Sequence, residues 1–486
     1  MMLLADLCAG IVPVPESGGR IPIQNITADS RQASPGCLFA AVPGFNQDGR
    51  RFIGEAVSRG ASAVLAGDGT DGGPVPVVTA GNVRLALALL AKRFFGDPSD
   101  SMLMAGVTGT NGKTTVAFLL ESIFREAGFK TGLLGTIAYR WLSHEEPAAR
   151  TTPESIDIQR MLRRMADAGV CAVSMEVSSH ALALDRVAGI RFRTAVFTNL
   201  TRDHLDFHGT PGEYGRAKSL LFGMLDPRGT AVVNADDPAA DVMLAAAKGR
   251  SATYGVTAAN PDYRIVDIRM EAEGTRFGLL HGGKILPFLT PLWGRFNAIN
   301  AAAAAVAGLE LGFDRESVHR GISAMERVPG RMEGFLSRSG IRVVVDYAHT
   351  PDALANVLDA VRGFTKGRVL TVFGCGGDRD RGKRPEMGKL ASSRSDRAFV
   401  TSDNPRSEDP RRIIDDILAG IEDLSAVTVI TDRADAIRAA LKEAGTGDTV
   451  LLAGKGHETY QETGGVRQPF EDRAVAEACL KERGDL

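Results

Sequence analysis

The sequence has few cysteines and almost no net charge, and each shortage excludes a class of protein. Its 486 residues include five dispersed cysteines, none of them in a CxxC pair, so a zinc knuckle is not expected. An odd number of separated thiols favours a reduced, cytoplasmic protein. Basic residues number 57 and acidic residues 59, which gives a net charge of −2. This balance argues against a nucleic-acid-binding protein, whose domains tend to be strongly basic.

Long hydrophobic runs are missing as well. No basic segment followed by an apolar core opens the chain, so we expect no signal peptide. The Ala-rich run Ala298–Leu309 is too short to cross a bilayer and predicts a buried helix instead. Short-period repeats and low-complexity tracts are also absent from the sequence. We therefore expect a cytoplasmic globular protein, without membrane insertion and monomeric.

The chain does contain an alternation of short apolar runs and helical stretches. Its length favours three domains, because domains usually span roughly 100–200 residues. From Ser101 onward the apolar runs end in polar or Gly-rich turns, which is typical of βαβ units and a mostly parallel sheet. The predicted strands are Met102–Thr108, Val170–Met175, Thr194–Thr198, Ala231–Asn234, Val343–Val345, Val369–Phe373, Ala398–Thr401, Val427–Ile430 and Val450–Leu452.

Glycine and proline mark two domain boundaries. Gly96–Ser99 follows a helical run near Asn82–Phe95 and indicates a linker, and Val328–Gly330 is the next candidate hinge. The sequence thus predicts an α/β fold with three domains. These are an N-terminal domain (residues 1–97), a central domain on a parallel sheet (residues 98–328) and a C-terminal Rossmann-like domain (residues 329–486).

A glycine-rich loop opens the central domain. Gly106–Thr115 follows a predicted strand and precedes the amphipathic stretch Val116–Ala127, the setting of a P-loop. Backbone N–H groups and a helix N-terminus would face phosphate oxygens there. Lys113 would reach the β- and γ-phosphates, and Thr114 could ligate Mg²⁺. The strict P-loop pattern is broken, because Val107 occupies its first glycine position. The central domain is predicted to be a P-loop ATPase domain.

Two further motifs follow predicted strands. Glu176 ends the strand before Val177–His180, and ligands of parallel sheets bind at such strand ends, so it could hold Mg²⁺ near a γ-phosphate. The segment Asn199–Gly209 contains His204, which offers a neutral imidazole ligand, and Lys218 follows it. Taken separately, these residues are better explained as ordinary loop and surface residues. Their combination with the P-loop indicates a site.

Together the motifs closely resemble the Mur ligase and folylpolyglutamate synthetase superfamily, whose nucleotide loop is similar to Gly109–Thr115. Members use ATP to activate a carboxylate as an acyl phosphate, and an amine then displaces the phosphate. The resemblance implies ATP as co-substrate, Mg²⁺ as cofactor and a carbamylated lysine at Lys218. It implies catalytic roles for Lys113, Glu176, His204 and Lys218, and metal binding by Thr114, Glu176, His204 and the Lys218 carbamate.

The resemblance extends over nearly the whole chain. Asn297 and Asn300 match the family's adenine-proximal segment, Pro329–Glu333 matches its hinge motif, and Asp346–Pro351 matches the opening of its C-terminal domain. The ATP contacts that it implies are Thr108, Gly109, Thr110, Asn111, Gly112, Lys113, Thr114, Asn300, Arg331 and His349.

Within the family, the chain is most similar to the ligases that add the third residue of the muramoyl peptide. Thr27–Arg31 and Phe45–Arg50 look like their uridine-binding loops. The match implies that the substrate is UDP-N-acetylmuramoyl-L-alanyl-D-glutamate, contacted by Ala28, Ser30, Phe45, Asn46, Gln47, Thr151, Thr152, Ser178, Leu184 and Arg186. Leu184 departs from the pattern, because a glutamine commonly stands there and leucine cannot copy its hydrogen bonds.

Three C-terminal loops each follow a predicted strand, so they can converge at one end of a sheet: Gly374–Asp380, Asp403–Arg406 and Gly454–Glu458. By resemblance the incoming amino acid binds there, against Arg379, Asp403, Asn404, Pro405, Arg406, Gly454 and Glu458. Arg406 favours meso-diaminopimelate over L-lysine, because a guanidinium can grip the extra carboxylate with two parallel bonds. The resulting prediction is a ligase of peptidoglycan precursor synthesis, with L-lysine as the alternative amino acid.

Other functions remain as alternatives. The turn Gly374–Gly376 could belong to a nicotinamide oxidoreductase, although Arg379 replaces the third glycine of its motif. A folylpolyglutamate synthetase is disfavoured by the N-terminal domain, and a P-loop switch would hydrolyse ATP without forming an amide. Because nucleotide and amino acid are expected on different domains, we also predict domain closure around the reacting atoms.

Overall fold

The computed structural model describes residues 2–16, 18–44, 47–271, 273–325 and 327–486. Three principal sheets of 4, 11 and 6 strands follow one another along the chain, one in each predicted domain. No helix within these ranges is both long enough and apolar enough to span a membrane.

The N-terminal domain is built on a small parallel sheet with the strand order β3-β4-β5-β6. The predicted helical run is confirmed as α3, which Asn82 caps by accepting a hydrogen bond from the Leu85 N–H at 3.1 Å. The strands are β1 (Met2–Leu3), β2 (Pro22–Ile23), β3 (Asn25–Thr27), β4 (Cys37–Ala40), β5 (Ala61–Ala66) and β6 (Val77–Thr79), and the helices are α1 (Leu4–Cys8), α2 (Ile53–Ser58) and α3 (Val83–Phe94).

The central domain surrounds the largest sheet. Its strands are β7 (Leu103–Thr108), β8 (Thr131–Leu134), β9 (Ala138–Trp141), β10 (His144–Pro147), β11 (Ala172–Glu176), β12 (Phe192–Phe197), β13 (Leu225–Asn234), β14 (Arg250–Gly255), β15 (Tyr263–Glu271), β16 (Gly274–His281) and β17 (Lys284–Thr290). Its helices are α4 (Lys113–Glu126), α5 (Ser155–Asp167), α6 (Ser179–Ala183), α7 (Leu205–His208), α8 (Pro211–Gly223), α9 (Ala240–Ala246), α10 (Arg295–Glu310) and α11 (Arg315–Ser323).

The middle of this sheet is parallel, as the alternating pattern predicts, with the order β8-β11-β7-β12-β13-β14-β15. Antiparallel strands extend both edges: β9 and β10 on one side, β16 and β17 on the other. The edge strands were not predicted, because antiparallel strands with one solvated face carry many polar residues and lack a continuous apolar run.

The Ala-rich run forms α10, and most of its side chains are buried, as predicted. A helix that is apolar all round must be covered on all sides. Here α4, α11 and the sheet supply that cover, and the small alanine side chains allow them to approach closely.

The C-terminal domain has a mostly parallel sheet with the order β18-β19-β23-β20-β21-β22, covered by apolar clusters on both faces. Its strands are β18 (Glu333–Leu336), β19 (Arg342–Asp346), β20 (Val369–Phe373), β21 (Arg397–Val400), β22 (Val427–Val429), β23 (Thr449–Ala453), β24 (Tyr460–Thr463) and β25 (Val466–Pro469). Its helices are α12 (Pro351–Phe364), α13 (Lys383–Arg394), α14 (Pro410–Leu418), α15 (Arg433–Glu443) and α16 (Asp472–Glu482).

The junction between the last two domains runs through Gly330. Its φ is +63°, and a Cβ atom there would lie 2.2 Å from the backbone nitrogen of His457. Any larger residue would push the loop after β23 away, so the predicted hinge is also a close contact between two backbones.

Candidate active site

The glycine-rich loop connects the end of β7 to the start of α4, as a P-loop does. Gly109 has a φ of +150°, and a Cβ atom there would lie 1.8 Å from the Thr198 hydroxyl. Gly112 has a φ of +84°, and its Cβ would lie 2.4 Å from the Asn300 side-chain oxygen. The tight curl of the loop therefore requires glycine at both positions.

Two lysines hold the loop from opposite sides. Lys113 donates from Nζ to the carbonyl oxygens of Gly109 at 3.0 Å and Thr110 at 2.8 Å. Lys218, on α8 and 1% exposed, donates to the same Gly109 carbonyl at 2.8 Å. Burial lowers the pKa of both ammonium groups, and the charge of Lys113 lowers that of Lys218 further.

Glu176 ends β11 beside the start of α4 and is 1% exposed. One carboxylate oxygen accepts from the Thr114 hydroxyl at 3.0 Å and from the Thr136 hydroxyl at 3.0 Å. The other accepts from the Thr136 backbone N–H at 2.7 Å. Arg331 donates to the Thr114 hydroxyl at 3.0 Å. The carboxylate is therefore fixed directly against the P-loop helix. Thr136 was not predicted, because nothing in its local sequence separates it from an ordinary turn residue.

His204 has a left-handed backbone with a φ of +54°. Its Nε2 lies 3.4 Å from a carboxylate oxygen of Asp203, and His349 of the C-terminal domain approaches the same oxygen at 3.9 Å. Burial lowers the pKa of His204, and burial lowers that of His349 to about 4. Both rings are therefore neutral near pH 7, as a metal ligand or hydrogen-bond acceptor requires.

The three C-terminal loops do converge, and they face the P-loop across a cavity of about 290 Å³. The loops that line it follow adjacent parallel strands in each sheet, at their carboxyl ends, where ligands of such sheets bind. The lining residues are Thr110, Asn111, Gly112, Lys113, Thr114, Thr136, Thr151, Glu176, Ser178, Asp203, His204, Arg331, Tyr347, His349, Gly376, Arg379, Lys383, Asp403, Asn404, Arg406, Gly454 and Glu458.

On the C-terminal side, Asn404 donates to Glu458 at 2.7 Å, and Lys455 donates to both side chains at 3.2 and 3.0 Å. Arg406 has a φ of +54° and donates to the Gly377 carbonyl at 2.7 Å. Among the residues that the structure describes, Arg379 donates only to the neighbouring carbonyl of Asp378, at 2.8 Å. The two guanidinium groups thus keep most of their donors available to a ligand.

A second cavity, of about 370 Å³, shares Asn111, Gly112 and Arg331 with the first. It includes Asn300, which was predicted, and a set that was not: Thr115, Thr198, Asn199, Leu200, Thr201, Asn234, Asp236, Asp237, Pro238, Phe296, Ile299, Asp346, Asp352, Ala353, Asn356 and Val357. Asn234 ends β13, and Asp236 and Asp237 follow it closely, so the strand-end rule could have identified them.

Several predicted residues lie behind the lining rather than on it. Thr152 accepts from the Ser178 N–H at 3.0 Å, and Arg186 donates to the Thr152 carbonyl at 3.1 Å. The others outside the lining of either cavity are Thr108, Gly109, Lys218, Leu184 and Pro405.

The predicted uridine contacts belong to the N-terminal domain, away from both cavities. Ser30 donates its hydroxyl to Glu55 at 2.8 Å, and Ala28 and Gln47 are exposed. Phe45 and Asn46 lie outside the described residues.

Mg²⁺ fits the donor set beside the P-loop. Among the described residues, no group of three or more His, Cys, Asp and Glu side chains is placed to hold a metal. Mg²⁺ usually takes only one or two carboxylates together with phosphates and water. Thr114 and Glu176 are 3.0 Å apart and offer such a pair, whereas the Lys218 ammonium, as it stands, cannot bind a cation.

Family models match three successive parts of the chain. They describe the Mur ligase family catalytic domain over residues 22–94, the Mur ligase middle domain over residues 107–308, and the Mur ligase glutamate ligase domain over residues 330–456. A Chlorobaculum tepidum protein named UDP-N-acetylmuramoyl-L-alanyl-D-glutamate--2,6-diaminopimelate ligase is 44% identical over 493 residues, covering 98% of this chain and 97% of that protein. The chain belongs to the Mur ligase family.

Solved Mur ligase structures have the same architecture. A structure of a UDP-N-acetylmuramoyl-L-alanyl-D-glutamate--2,6-diaminopimelate ligase superimposes with a TM-score of 0.71 at 34% identity, covering 99% of each chain. A MurF ligase from Thermotoga maritima in complex with ADP shares the fold, with a TM-score of 0.66 at 19% identity, covering 95% of this chain and 98% of that one. The predicted α/β fold and family are confirmed, and the oxidoreductase alternative for Gly374–Gly376 is excluded.

Proposed function

We propose that this chain is the ATP-dependent ligase that adds meso-2,6-diaminopimelate to UDP-N-acetylmuramoyl-L-alanyl-D-glutamate in peptidoglycan precursor synthesis. The observation that carries the proposal is the shared cavity, where P-loop side chains of the central domain face the three C-terminal loops. An amide ligase needs that arrangement, because phosphate transfer and amine attack must occur at one carboxylate. The names of the relatives support the choice of substrates.

The reaction has two steps. A carboxylate oxygen of the D-glutamate residue attacks the γ-phosphorus of ATP, the bond from phosphorus to the bridging oxygen breaks, and ADP leaves with the electron pair. The amine of diaminopimelate then attacks the acyl carbon, phosphate leaves, and the amine loses a proton. Lys113 and the loop N–H groups stabilise the charge on the transferred phosphoryl group, since they are already fixed in place.

Mg²⁺ would be held by Thr114, Glu176, His204 and a carbamate on Lys218, and would supply charge neutralisation at the phosphates. Carbamylation joins the neutral Lys218 amine to CO₂ and releases a proton. The buried site favours the neutral amine, because burial lowers the pKa of Lys218. The product is an anion beside Lys113 and His204, where the ammonium repels its neighbours.

The nucleotide would extend from the P-loop into the second cavity. Arg331 lines both cavities and donates to Thr114, so it can contact the phosphates while Asn300 contacts the base side. His349 and the loop residues Thr108–Thr114 complete the ATP contacts. The muramoyl dipeptide would enter past Thr151, Thr152, Ser178, Leu184 and Arg186, and its UDP end would reach Ala28, Ser30, Phe45, Asn46 and Gln47.

Diaminopimelate would bind between cations and anions of the C-terminal loops. Arg379 and Arg406 flank Gly376, since a Cβ atom there would lie 2.9 Å from the Arg406 guanidinium and 3.8 Å from the Arg379 side chain. Two neighbouring guanidinium groups suit carboxylates, and the acids Asp403 and Glu458 suit ammonium groups. Asn404, Pro405 and Gly454 shape the same loops. L-lysine lacks the second carboxylate and would leave Arg406 unpaired.

We propose that the enzyme acts as a monomer. We place the enzyme in the cytoplasm, because its reaction consumes ATP and a nucleotide-linked precursor.

The proposal is tested with the UDP-linked dipeptide carrying ¹⁸O in its D-glutamate side-chain carboxylate. With ATP, Mg²⁺ and meso-diaminopimelate, we expect the tripeptide product by mass spectrometry and one ¹⁸O atom in the released phosphate. Product without label in phosphate would reject the acyl phosphate. ATP hydrolysis without product would support a switch ATPase, and equal turnover of L-lysine would reject the selectivity.

A further inference from the structure

Lys383 lies at the first position of α13, in the C-terminal domain, and is 4% exposed. Its side chain lines the central cavity. Among the described residues it forms neither a hydrogen bond nor an ion pair. Most of the Lys383 side chain is buried, whereas its ammonium remains accessible from the cavity. The ammonium is therefore positioned to bind an anion that enters the cavity.

The other cations around the cavity differ from Lys383 in this respect. Lys113 has two carbonyl partners, and Arg379 and Arg406 each donate to one carbonyl. Lys455 is paired with Glu458 at 3.0 Å. The carboxylate of Asp203 interacts electrostatically with Lys383 without forming an ion pair with it, and it accepts a hydrogen bond from the His204 backbone N–H at 2.9 Å. Lys383 can therefore bind an anion that enters the cavity.

The position of Lys383 depends on the docking of the two domains. Arg202, in the loop that carries Asp203, bonds Asp380 at 3.1 Å and Glu386 at 3.3 Å, on either side of Lys383. A Cβ atom on Gly382 would lie 2.2 Å from the Arg202 guanidinium. The start of α13 is thus pressed against the central-domain loop, and Lys383 reaches the phosphate side of the cavity only when the domains are docked.

We propose that Lys383 is a further catalytic residue, which contacts the phosphoryl group as it passes from ATP to the carboxylate. This inference rests on the proposed acyl-phosphate ligase function. In the proposed function, Arg379 and Arg406 bind the amino acid, and Lys113 binds ATP before the transfer. Lys383 is then the cation left to contact the phosphoryl group while it passes from ATP to the carboxylate. Lys383 donates hydrogen bonds to non-bridging oxygens and transfers no proton. Its charge offsets the negative charge that collects there as the bond to ADP breaks.

The test compares Lys383→Met with Lys389→Met. Methionine keeps the apolar stem of Lys383 and removes its charge. Lys389 is the control, because it lies on the same helix with a side chain 69% exposed and pairs only distantly with Glu422, at 3.8 Å. Turnover is measured with saturating substrates, ADP affinity by calorimetry, and acyl-phosphate formation by ¹⁸O transfer to phosphate.

We expect Lys383→Met to lower the rate of ¹⁸O transfer by roughly 100-fold, as removal of one such donor does elsewhere. Its affinity for ADP and its KM for diaminopimelate should stay within roughly threefold of the values for the unaltered protein. The reason is that neither ADP nor diaminopimelate contains the phosphoryl group that is transferred. Lys389→Met should match the unaltered protein, and Lys383→Arg, which keeps the charge, should recover part of the lost rate.

Near-normal turnover of Lys383→Met would overturn the proposal. So would a loss confined to the KM of the UDP-linked dipeptide or of the amino acid, which would make Lys383 a substrate anchor. If Lys383→Met fails to fold, Lys383→Gln and Lys383→Arg decide, since only the charged variant should retain ¹⁸O transfer. Absence of label transfer in the unaltered protein would instead reject the proposed function itself.

Discussion

The two walls of the central cavity are built differently. On the central-domain wall, Glu176 is fixed by three hydrogen bonds and Lys113 by two. Lys218, which lies behind this wall, holds the Gly109 carbonyl of the loop. On the C-terminal wall, Arg379 and Arg406 each have one carbonyl partner, and Lys383 has none among the described residues. One wall is complete before any ligand binds, and the other has unused donors.

This difference matches what each wall would bind. Phosphate transfer gains from groups that need no rearrangement during the reaction, so a pre-bonded wall lowers its barrier. Selection among amino acids depends on groups whose desolvation costs free energy when the bound ligand leaves them unpaired. A wall with unpaired cations therefore binds amino acids without a second carboxylate more weakly. The four predictions below test the comparison.

The largest loss is expected from Lys218→Ala, directly behind the central-domain wall. Removing the carbamate would weaken metal binding, which is worth several kcal/mol, so turnover should fall roughly 1000-fold. A short carboxylic acid such as acetate should restore part of the activity, because it can replace the lost anion. The exposed residue Lys130 provides the control as Lys130→Ala. A normal rate for Lys218→Ala, or no rescue by any short acid, would contradict the carbamate.

Lys113→Ala should follow, with turnover at least roughly 100-fold lower, because it removes a preorganised charge from the P-loop. Steady-state kinetics with saturating ATP measure the change. Binding of the UDP-linked dipeptide should be unaffected, since the proposed contact of Lys113 is with the nucleotide. If Lys113→Ala ligates at a near-normal rate, the loop is not the phosphate site.

On the open wall, Arg406→Ala should change selectivity more than turnover. Losing one partner of a charged pair costs about 2 kcal/mol or more, so kcat/KM for meso-diaminopimelate should fall at least roughly 30-fold. The value for L-lysine should hardly change, because lysine has no carboxylate for Arg406. Arg411→Ala, an exposed arginine in the same domain, is the control. Full diaminopimelate selectivity in Arg406→Ala would falsify its role.

The smallest effect is expected from Arg202→Ala, which weakens the docking of the central domain against the C-terminal domain. Arg202→Ala removes ion pairs to Asp380 and Glu386 that are partly exposed, and such pairs contribute up to about 1 kcal/mol. We expect a drop in kcat/KM of up to roughly fivefold and a larger mean radius by small-angle X-ray scattering. Arg216→Ala, which breaks a pair with Glu213 inside α8, should change neither. Identical scattering with and without ligands, in every variant, would argue for a preformed site without closure.

Much of the fold could be predicted from local patterns. The nine predicted strands, which are short apolar runs bounded by polar turns, are all present. The parallel strands β8, β14 and β15 were not predicted. The edge strands β9, β10, β16 and β17 could not be predicted this way, because a half-solvated strand alternates polar and apolar residues over too few positions. The helix α10 was predicted because alanine-rich, uncharged helices must be buried.

The candidate site was predicted only in part. Loops at strand ends can be identified from sequence, so the P-loop, Glu176, His204 and the three C-terminal loops were found. Thr136 and Lys383 were missed, because neither belongs to a distinctive motif and each matters only through a neighbour distant in sequence. Lys218 was predicted as a metal ligand, and the structure adds that it lies behind the loop, on the Gly109 carbonyl.

The sequence by itself determined most of the parallel strands, the glycines that let the P-loop curl and the chemical types at the predicted strand ends, because these depend on residues close together along the chain. Only the tertiary structure decided which of those side chains share a cavity and which have partners. That depends on how two sheets direct their carboxyl ends toward each other, although strands that carry the site loops, such as β12 (Phe192–Phe197) and β20 (Val369–Phe373), are far apart in sequence. The bonded P-loop wall and the unpaired Lys383 are consequences of that packing, since a side chain's partners come from whatever the fold brings beside it.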